Sequence, residues 1–464
     1  MKQTILCVLM ALCSDYLQAQ TAWTMLQCMQ YAVEHNHEVK RAELELDNYR
    51  AQKTGTAGRF LPAVDANIGA QYNFGRAIDP ETNGYTDVNT FYNGYSLQAS
   101  LPVFDGFSRV HALKAAKASE LMGQSALQQS RSQTALSVLQ AFTDVAYYEG
   151  LVKMAREKIE ETTLLLQQTR VLEEVGRKSR AEVAQVEAQK AEADYELTRQ
   201  QNLLASAMLE LKKSMAFPLS EELRVKSEEF HGRKTEGRDP YSAGISLPCD
   251  SSLHSRAELA YPLPFTLHSS LSSLHSSLQV ARYQMQVSRH EWRQARAALF
   301  PTLSLSAGLN TTYYHTLHAN SGQSFHAQFK NNMGEYVGIT LSIPLFDRLQ
   351  TVTSIRRAKN NYRIARENYE QKRLELEKLS REAWQDWIGY LKQTEQMAKK
   401  VEADSLSHQL TRRQFEEGLS TAIDLQTTST QLQKSRAMLL QCQLMAIVKK
   451  QLVRYYQGIA IWTE

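Results

Sequence analysis

The chain has 464 residues, of which 43% are hydrophobic and 22% are charged, and it carries a net charge of +4. Lys, Arg, Asp and Glu are interleaved rather than arranged in blocks, which excludes the basic surface typical of a nucleic-acid-binding protein and fits solvated helix faces. This length allows several domains or one large elongated domain.

The N-terminus has the layout of a secretory signal peptide. Lys2 precedes a short apolar run, and small residues ending at Ala19 offer a cleavage site, so we expect a signal peptide over 1–19. Cys13 raises lipid attachment as an alternative, although the bulky Leu12 before it does not favour this. The chain is therefore expected to be exported.

Three cysteines follow the predicted signal peptide, and they are too scattered for a disulfide framework or a metal site: Cys28, Cys249 and Cys442. No later stretch approaches the roughly 18 consecutive apolar residues of a membrane helix. If the exported chain enters a membrane, it must do so as β-strands in a closed barrel.

Four segments alternate between apolar and small or polar residues, as half-buried strands do. They are predicted over about 63–74, 91–104, 302–314 and 335–346. Aromatic residues lie at both ends of these segments, which is typical of the interfacial girdles of membrane strands. The edge of a soluble β-sandwich is the alternative. The connecting loops, at about 75–90 and 315–333, are polar and turn-rich and suit the outer surface.

A long proline-free tract follows each pair of strands, over 105–217 and over 347–457. Proline interrupts helix interiors, so both tracts are free to be helical, and both are rich in good helix formers. Each contains one turn, at Gly176 or Gly418, where glycine suits a helix C-terminal cap, and Ser179 or Thr421 can cap the next helix. Each tract is therefore predicted to be a helical hairpin.

The same pattern is present twice. "LPVFDG" from position 101 and "IPLFD" from position 343 each end an alternating segment and open a helical tract, at an offset of 242 (343 − 101). Gly176 matches Gly418 at the same offset, whereas upstream of the strands the offset is 239. Such a nearly constant offset between matching residues indicates an internal duplication. We expect a first repeat over 20–217, a connector over 218–270 and a second repeat over 271–464.

Four strands per chain cannot close a transmembrane barrel, which needs about eight or more. An open sheet would leave unpaired backbone groups in lipid. The strands therefore require oligomerisation. Two copies would supply eight strands and three would supply twelve, and this argument does not choose between them.

The duplicated pattern, the paired "LPVFDG" and "IPLFD" junctions and the two glycine turns resemble the TolC-like outer-membrane efflux proteins. The phrase "LQCMQYAVEHNHEVKRAELEL" also resembles the opening helix of that family. The resemblance covers nearly the whole mature chain. It implies an α+β membrane protein, a homotrimer whose 12-stranded β-barrel, four strands per chain, lies in outer-membrane lipid and continues as an α-helical barrel in the periplasm.

The resemblance also implies the function, an exit duct of a tripartite efflux or type I secretion system. A periplasmic adaptor would link the duct to an inner-membrane pump of the RND or ABC type, and substrate would pass through passively. Drugs, metal ions and polypeptides are not separated as substrates by this chain. The alternative is an exported structural coiled-coil scaffold with a soluble β-domain.

The family's adaptor-docking tips are its helix-to-helix turns. Here they are two short segments: Glu174, Val175, Gly176 and Arg177 in the first repeat, and Glu417, Gly418, Leu419 and Ser420 in the second. Glycine at such a turn would let a partner's backbone approach closely. A helix cap and nothing more is the alternative.

An acidic periplasmic mouth is a further implication of the resemblance. Six residues after each tip glycine, Glu182 and Asp424 occupy the family's acidic positions, where rings of carboxylates would favour cations. Charges on solvated helix faces are the alternative. Phe415 stands where the family has a gating tyrosine, Ser420 stands where it has an arginine, and Thr427 replaces a second aspartate. The gate is therefore not expected to use the family's hydrogen bonds.

The connector carries histidines among serines, and another follows it: His254, His268 and His275. Without an organised set of Cys, Asp or Glu they do not favour a metal site. The chain has no nucleophile motif, phosphate loop or metal-ligand spacing. We therefore expect neither an enzyme nor a cofactor.

Overall fold

The computed structural model describes residues 22–78, 84–87, 89–226, 275–316 and 324–463. Several sequence predictions lie outside these residues: the signal peptide over 1–19, the lipidation alternative at Cys13, Cys249, most of the connector, His254 and His268. The chain divides into two compact units. The first comprises the described parts of 1–44, 125–279 and 372–464, and the second comprises those of 45–124 and 280–371.

Eight helices and six strands are present among the described residues. The helices are α1 (Met25–His35), α2 (His37–Gly58), α3 (Ser108–Glu174), α4 (Arg180–Met215), α5 (Ser276–Ala297), α6 (Phe325–Asn331), α7 (Gln350–Glu416) and α8 (Ala422–Tyr456). The strands are β1 (Ala63–Asn73), β2 (Arg76–Ile78), β3 (Tyr85–Asp87), β4 (Thr90–Phe104), β5 (Thr302–Thr316) and β6 (Gly334–Ser342). None of the described helices is long and apolar enough to span a membrane.

The first unit is helical, and its main core lies where α3 packs against α1, α4 and α8. Phe142 is the largest fully buried side chain among the described residues. The three neighbouring helices contribute other side chains to the same core, among them Met29, Leu211, Met215 and Leu444. Burying each large side chain of this kind contributes roughly 1.5–3 kcal/mol. The long helices are therefore held mainly by the apolar stripes that they bury.

The second unit contains a four-stranded antiparallel sheet with the strand order β1-β4-β5-β6. Its register places Ala66 opposite Leu97, Leu97 opposite Leu309, and Ala307 opposite Val337. Directly opposed residues lie on the same face of a sheet, so all four strands turn their apolar residues to one face. Small and polar residues such as Asn67, Ser96 and Ser306 occupy the other face. The predicted alternation is confirmed.

The strand β6 is shorter than predicted, since it ends at Ser342 rather than at 346. Its hydrogen-bonded partner β5 begins opposite that residue, at Thr302. Within the described chain, residues 343–346 have no strand beside them. A strand is held by its pairing, so the alternating sequence alone does not extend it.

Regular structure is also present in the segments that were predicted as polar loops. The strands β2 and β3 form a small hairpin. The helix α6 covers the part of β5 that extends beyond β6, because the Gln328 side chain accepts a hydrogen bond from Tyr314 N and donates one to Tyr314 O, both at 2.9 Å. Phe329 packs on Tyr95 with ring centroids 5.4 Å apart. The loop prediction was therefore wrong here, because one glutamine replaces the pairing that a neighbouring strand would supply.

The internal duplication is confirmed at the level of single residues. The helices α3 and α7 each have 67 residues, and they begin at Ser108 and Gln350, at the predicted offset of 242. The helices α2 and α5 end at Gly58 and Ala297, at the upstream offset of 239. The helices that precede the strands therefore end, and the long helices that follow them begin, at equivalent positions in the two copies.

The passage from strand to long helix has the same backbone in both copies. Gly106 and Phe107 have φ angles of 66° and 70°, and Arg348 and Leu349 have φ angles of 56° and 65°. An aspartate precedes each pair and caps the helix. Arg109 N donates to Asp105 Oδ2 at 3.0 Å, and Thr351 N donates to Asp347 Oδ2 at 2.6 Å.

Candidate functional site

Both hairpin turns close with the same hydrogen bonds. In the first, Gly176 N donates to Glu173 O at 2.8 Å and Arg177 N donates to Leu172 O at 2.8 Å. In the second, Gly418 N donates to Phe415 O at 3.1 Å and Leu419 N donates to Gln414 O at 2.7 Å. This is the Schellman ending of a helix, in which the residue after the cap takes a left-handed conformation. The predicted glycine caps are confirmed, with φ angles of 75° and 79°.

The tips expose apolar side chains that have no cover among the described residues. Val175 is 64% exposed and Leu419 is 76% exposed. No atom lies within 4 Å of the position that a Cβ would take at Gly176 or at Gly418. Each tip therefore presents an apolar side chain beside an open stretch of backbone.

Glu182 and Asp424 each stabilise the start of a helix, apart from any role at the predicted periplasmic mouth. Ser179 N donates to Glu182 Oε2 at 2.8 Å, while Glu182 N donates to Ser179 Oγ at 3.3 Å. Thr421 and Asp424 exchange the same two bonds, at 3.1 and 3.2 Å. Both pairs are capping boxes, and the predicted caps at Ser179 and Thr421 are confirmed.

These bonds also fix the charge of the two carboxylates. The hydrogen bond from Lys178 Nζ, at 2.8 Å, and those from Ser179 lower the pKa of Glu182. The hydrogen bonds from Thr421 lower the pKa of Asp424. Both groups therefore remain negatively charged at neutral pH. Ser420 Oγ also donates to Asp424 Oδ2, at 3.3 Å.

Phe415 is buried near the tips, with only 3% of its surface exposed. It belongs to an apolar cluster to which both hairpins contribute: Leu165, Leu166, Val183, Val186, Ala422 and Leu425. Lys178 Nζ lies 4.6 Å from the centre of the Phe415 ring, a favourable cation–π distance. Phe415 therefore joins the two hairpins by packing. Thr427 only donates back to Ile423 O of its own helix, at 2.9 Å.

Both hairpins also contribute to a polar node, which no sequence pattern indicates. It consists of Lys158 and Glu161 on α3, His408 on α7 and Ser429 on α8. His408 Nε2 donates to Glu161 Oε1 at 2.8 Å. Lys158 and Ser429 donate to Glu161 Oε2 at 3.2 and 3.1 Å, and Lys158 also donates to Ser429 Oγ.

The polar node holds a charged carboxylate between the hairpins. Burial alone would raise the pKa of Glu161, but hydrogen bonds and positive charge from His408 and Lys158 outweigh it and lower this pKa to about 2. Four polar residues in two charge-rich helical tracts cannot be recognised from their spacing. Only the packing of α3 against α7 and α8 brings them together.

His275 lies among aromatic side chains. It is buried beside the rings of Tyr455 and Tyr456, and its Nδ1 lies 2.8 Å from Ser277 Oγ. Burial lowers the pKa of His275 to about 4, so it is neutral at physiological pH. Among the described residues there is no cluster of three or more His, Cys, Asp or Glu that suits a metal ion.

A family model described as outer membrane efflux protein matches residues 28–216 and 267–451, which is well over half of the chain. Each matched segment contains one copy of the duplicated strand–strand–hairpin pattern. A search of curated proteins by sequence found no match to this chain.

Solved outer-membrane channels have the same fold. The outer membrane protein VceC from Vibrio cholerae is 13% identical with a TM-score of 0.76, over 94% of this chain and 96% of that one. The CmeC outer membrane channel of Campylobacter jejuni is 14% identical with a TM-score of 0.73, over 95% and 87%. The MtrE outer membrane channel of Neisseria gonorrhoeae, in its open state, is 16% identical with a TM-score of 0.73, over 94% and 89%.

The fold, the duplication and the family match lead to the same conclusion. The predicted resemblance is confirmed. The chain belongs to the outer membrane efflux protein family, and it serves as an exit duct for efflux in the outer membrane.

Proposed function

We propose that three copies of this chain form one duct, in which their sheets close a 12-stranded β-barrel and their helical hairpins form a barrel of helices in the periplasm. The edges of the sheet carry this proposal, because in the described chain β1 pairs only with β4 and β6 only with β5. Each unpaired backbone group in lipid costs several kcal/mol. The sheet therefore needs further strands on both sides, and three copies supply the number that the family resemblance implies.

The apolar face of the sheet supports a position in lipid. Ile68, Val337 and Ile339 on this face are between 73% and 78% exposed. A soluble β-domain would have to cover such a surface, and nothing in the described chain does so. The alternative of an exported scaffold with a soluble β-domain therefore has no supporting observation.

Native mass spectrometry of the protein in detergent tests the assembly. We expect one species with the mass of three mature chains. A single-chain species, or a stable two-chain species, under conditions that preserve the helical content would overturn the proposed trimer.

We further propose that the two tips dock a periplasmic adaptor, which links the duct to an inner-membrane pump of the RND or ABC type. The exposed side chains of Val175 and Leu419, next to open glycine backbone, form a surface that suits the apolar face of a helical partner. Glu182 and Asp424, charged and repeated in three copies, would give the mouth a negative ring that attracts cations. No catalytic role is proposed, since the duct is passive and the pump supplies the energy.

Site-specific photo-crosslinking in the native envelope tests the docking. A photoreactive residue at Val175 or at Leu419 is expected to capture one adaptor of defined mass. Leu209, which is also exposed but lies at the opposite end of α4 from its tip, is the matched control. Equal capture from Leu209 and from both tips, or none from either tip while the pump system is active, would contradict docking at the tips.

A further inference from the structure

We infer that the free edge of β6 pairs with the free edge of β1 of a second copy in the register that sets Leu341 opposite Ile68, and that this pairing extends the strand over 343–346. The inference rests on the proposed assembly and specifies it. It names the residues of two copies that meet, which closure of a barrel does not determine by itself.

The register follows from the duplication. Inside one chain, β4 of the first repeat pairs with β5 of the second, with Ala99 opposite Ala307. The equivalent of β4 is β6, 242 positions later, and the equivalent of β5 is β1, 239 positions earlier. Applying both offsets to the observed pair gives Leu341 (99 + 242) opposite Ile68 (307 − 239).

The neighbouring pairs follow in the same way. Leu97 lies opposite Leu309 and Leu101 lies opposite Leu305 in the observed contact. Their equivalents between copies are Ile339 opposite Ala70, and Ile343 opposite Ala66. The contact between copies therefore reproduces, pair by pair, the contact that the chain already makes within itself.

The faces of the two strands provide an independent check on this register. Ile68 lies on the apolar face of the sheet at one edge, and Leu341 lies on the same face at the other edge. A shift of one residue would place apolar residues of β6 opposite the small and polar residues of β1, such as Gly69 and Asn67. The derived register keeps the apolar face continuous from one copy to the next.

The early end of β6 is a second observation that the inference explains. The strand β4 continues to Phe104, and beyond Ser100 it pairs with β5 alone. The equivalent residues of β6 are 343–346, whose partner would be the second copy. Leu345 and Phe346 are 92% and 80% exposed in the single chain, whereas the equivalent Phe104 is half-buried. The predicted end at 346 thus becomes the end of the strand in the assembly.

Paired cysteines test the register. We would combine Leu341→Cys with Ile68→Cys in one chain, isolate outer membranes, and treat them with an oxidant or with a short thiol-to-thiol linker. Because the two positions lie on opposite edges of the sheet, a bond between copies gives covalent dimers and trimers on a denaturing gel. The control combines Leu341→Cys with Val64→Cys, on the same face but about 13 Å further along the strand.

The expected result is at least fivefold more covalent oligomer from the Leu341–Ile68 pair than from the control pair, with none from variants that carry only one of the introduced cysteines beside the native ones. More crosslinking in the control pair would show that the register is wrong. No oligomer from either pair, while native mass spectrometry still finds three copies, would overturn the inference and leave the proposed trimer standing. A single-chain mass would overturn both.

Discussion

The two strand-to-helix junctions have one backbone conformation but different surroundings. At the first junction a Cβ at Gly106 would lie 2.5 Å from Ala297 O and 2.8 Å from the Phe300 Cβ, so only glycine fits. At the second, Arg348 takes the same left-handed conformation and is exposed. The left-handed backbone alone therefore does not require glycine. The close approach of a neighbouring element does, and among the described residues only the first junction has such a neighbour.

The difference also bears on the interface between copies. If Arg348 met the end of α2 of the next copy as closely as Gly106 meets the end of α5, its Cβ would clash with backbone. We therefore expect a wider contact there. A wider contact leaves room for the Arg348 guanidinium near the carbonyl end of α2, where positive charge is favourable.

A substitution at the tightly packed first junction should have a large effect on stability. Gly106→Ala places a methyl group against backbone that cannot move aside, in a conformation that is strained for alanine. We expect a loss of about 3 kcal/mol or more, measured by thermal unfolding in detergent. Arg348→Ala, the matched change at the open junction, is expected to cost less than about 1 kcal/mol. Equal effects would contradict the difference between the junctions.

The polar node joins side chains of both repeats. A substitution in it tests a contact that the duplication does not repeat. The equivalents of Glu161 and His408 at the offset of 242 are Ala403 and Leu166. Glu161→Gln removes the charge that Lys158 and His408 surround, and we expect it to cost about 2–3 kcal/mol. The measurement is thermal unfolding, followed by the helical signal. A loss below about 0.5 kcal/mol would show that the node does not hold the hairpins together.

The same node predicts a dependence on pH. The pKa of Glu161 is lowered from 4.5 to about 2, so its stabilisation is complete above about pH 4.5 and is lost as the pH falls towards 2. The wild-type protein should lose stability over this range by more than Glu161→Gln does. Parallel curves for the two proteins would contradict the assigned shift.

The capping boxes provide a smaller test, and here the two repeats should agree. Ser179→Ala and Thr421→Ala each leave an amide at the start of a helix without its partner. We expect each to cost about 1 kcal/mol in thermal unfolding. A clear difference between them would show that the two tips are less equivalent than their hydrogen bonds indicate.

The smallest expected effect is a gain. Arg348→Gly relieves a left-handed conformation that disfavours arginine, and we expect the single chain to gain about 0.5–1 kcal/mol. The monomeric protein, dissociated in a harsher detergent that preserves its helices, is the sample to melt. A loss of stability there would mean that the Arg348 side chain makes contacts that outweigh the strain.

Much of the fold follows from the sequence because hydrophobic periodicity and turn-forming residues are local signals. The alternation along β1 and β4, the proline-free tracts and the glycines at 176 and 418 predicted the strands, the helices and the turns. The predictions that were wrong concerned features that depend on contacts with neighbouring elements. The end of β6 requires a partner strand, and α6 forms in a predicted loop because Gln328 bonds to the backbone of β5.

The candidate site divides in the same way. The caps at Ser179 and Thr421 were predictable because they lie within one turn of the residues that they serve. The burial of Phe415 and the node around Glu161 were not, since they arise where one hairpin packs on the other. The roles of the tips in docking, and of Glu182 and Asp424 at the mouth, stay predictions.

We expect the two junctions to mark the same boundary, one completed inside the chain and the other completed by the next copy. Amide hydrogen exchange of the assembled protein, compared between peptides 101–107 and 343–349, tests it most directly. We predict similar strong protection of both peptides in the assembly, and loss of protection from 343–349 alone when the copies are separated. Rapid exchange of 343–349 in a protein that still has the mass of three chains would show that the next copy does not complete the second junction.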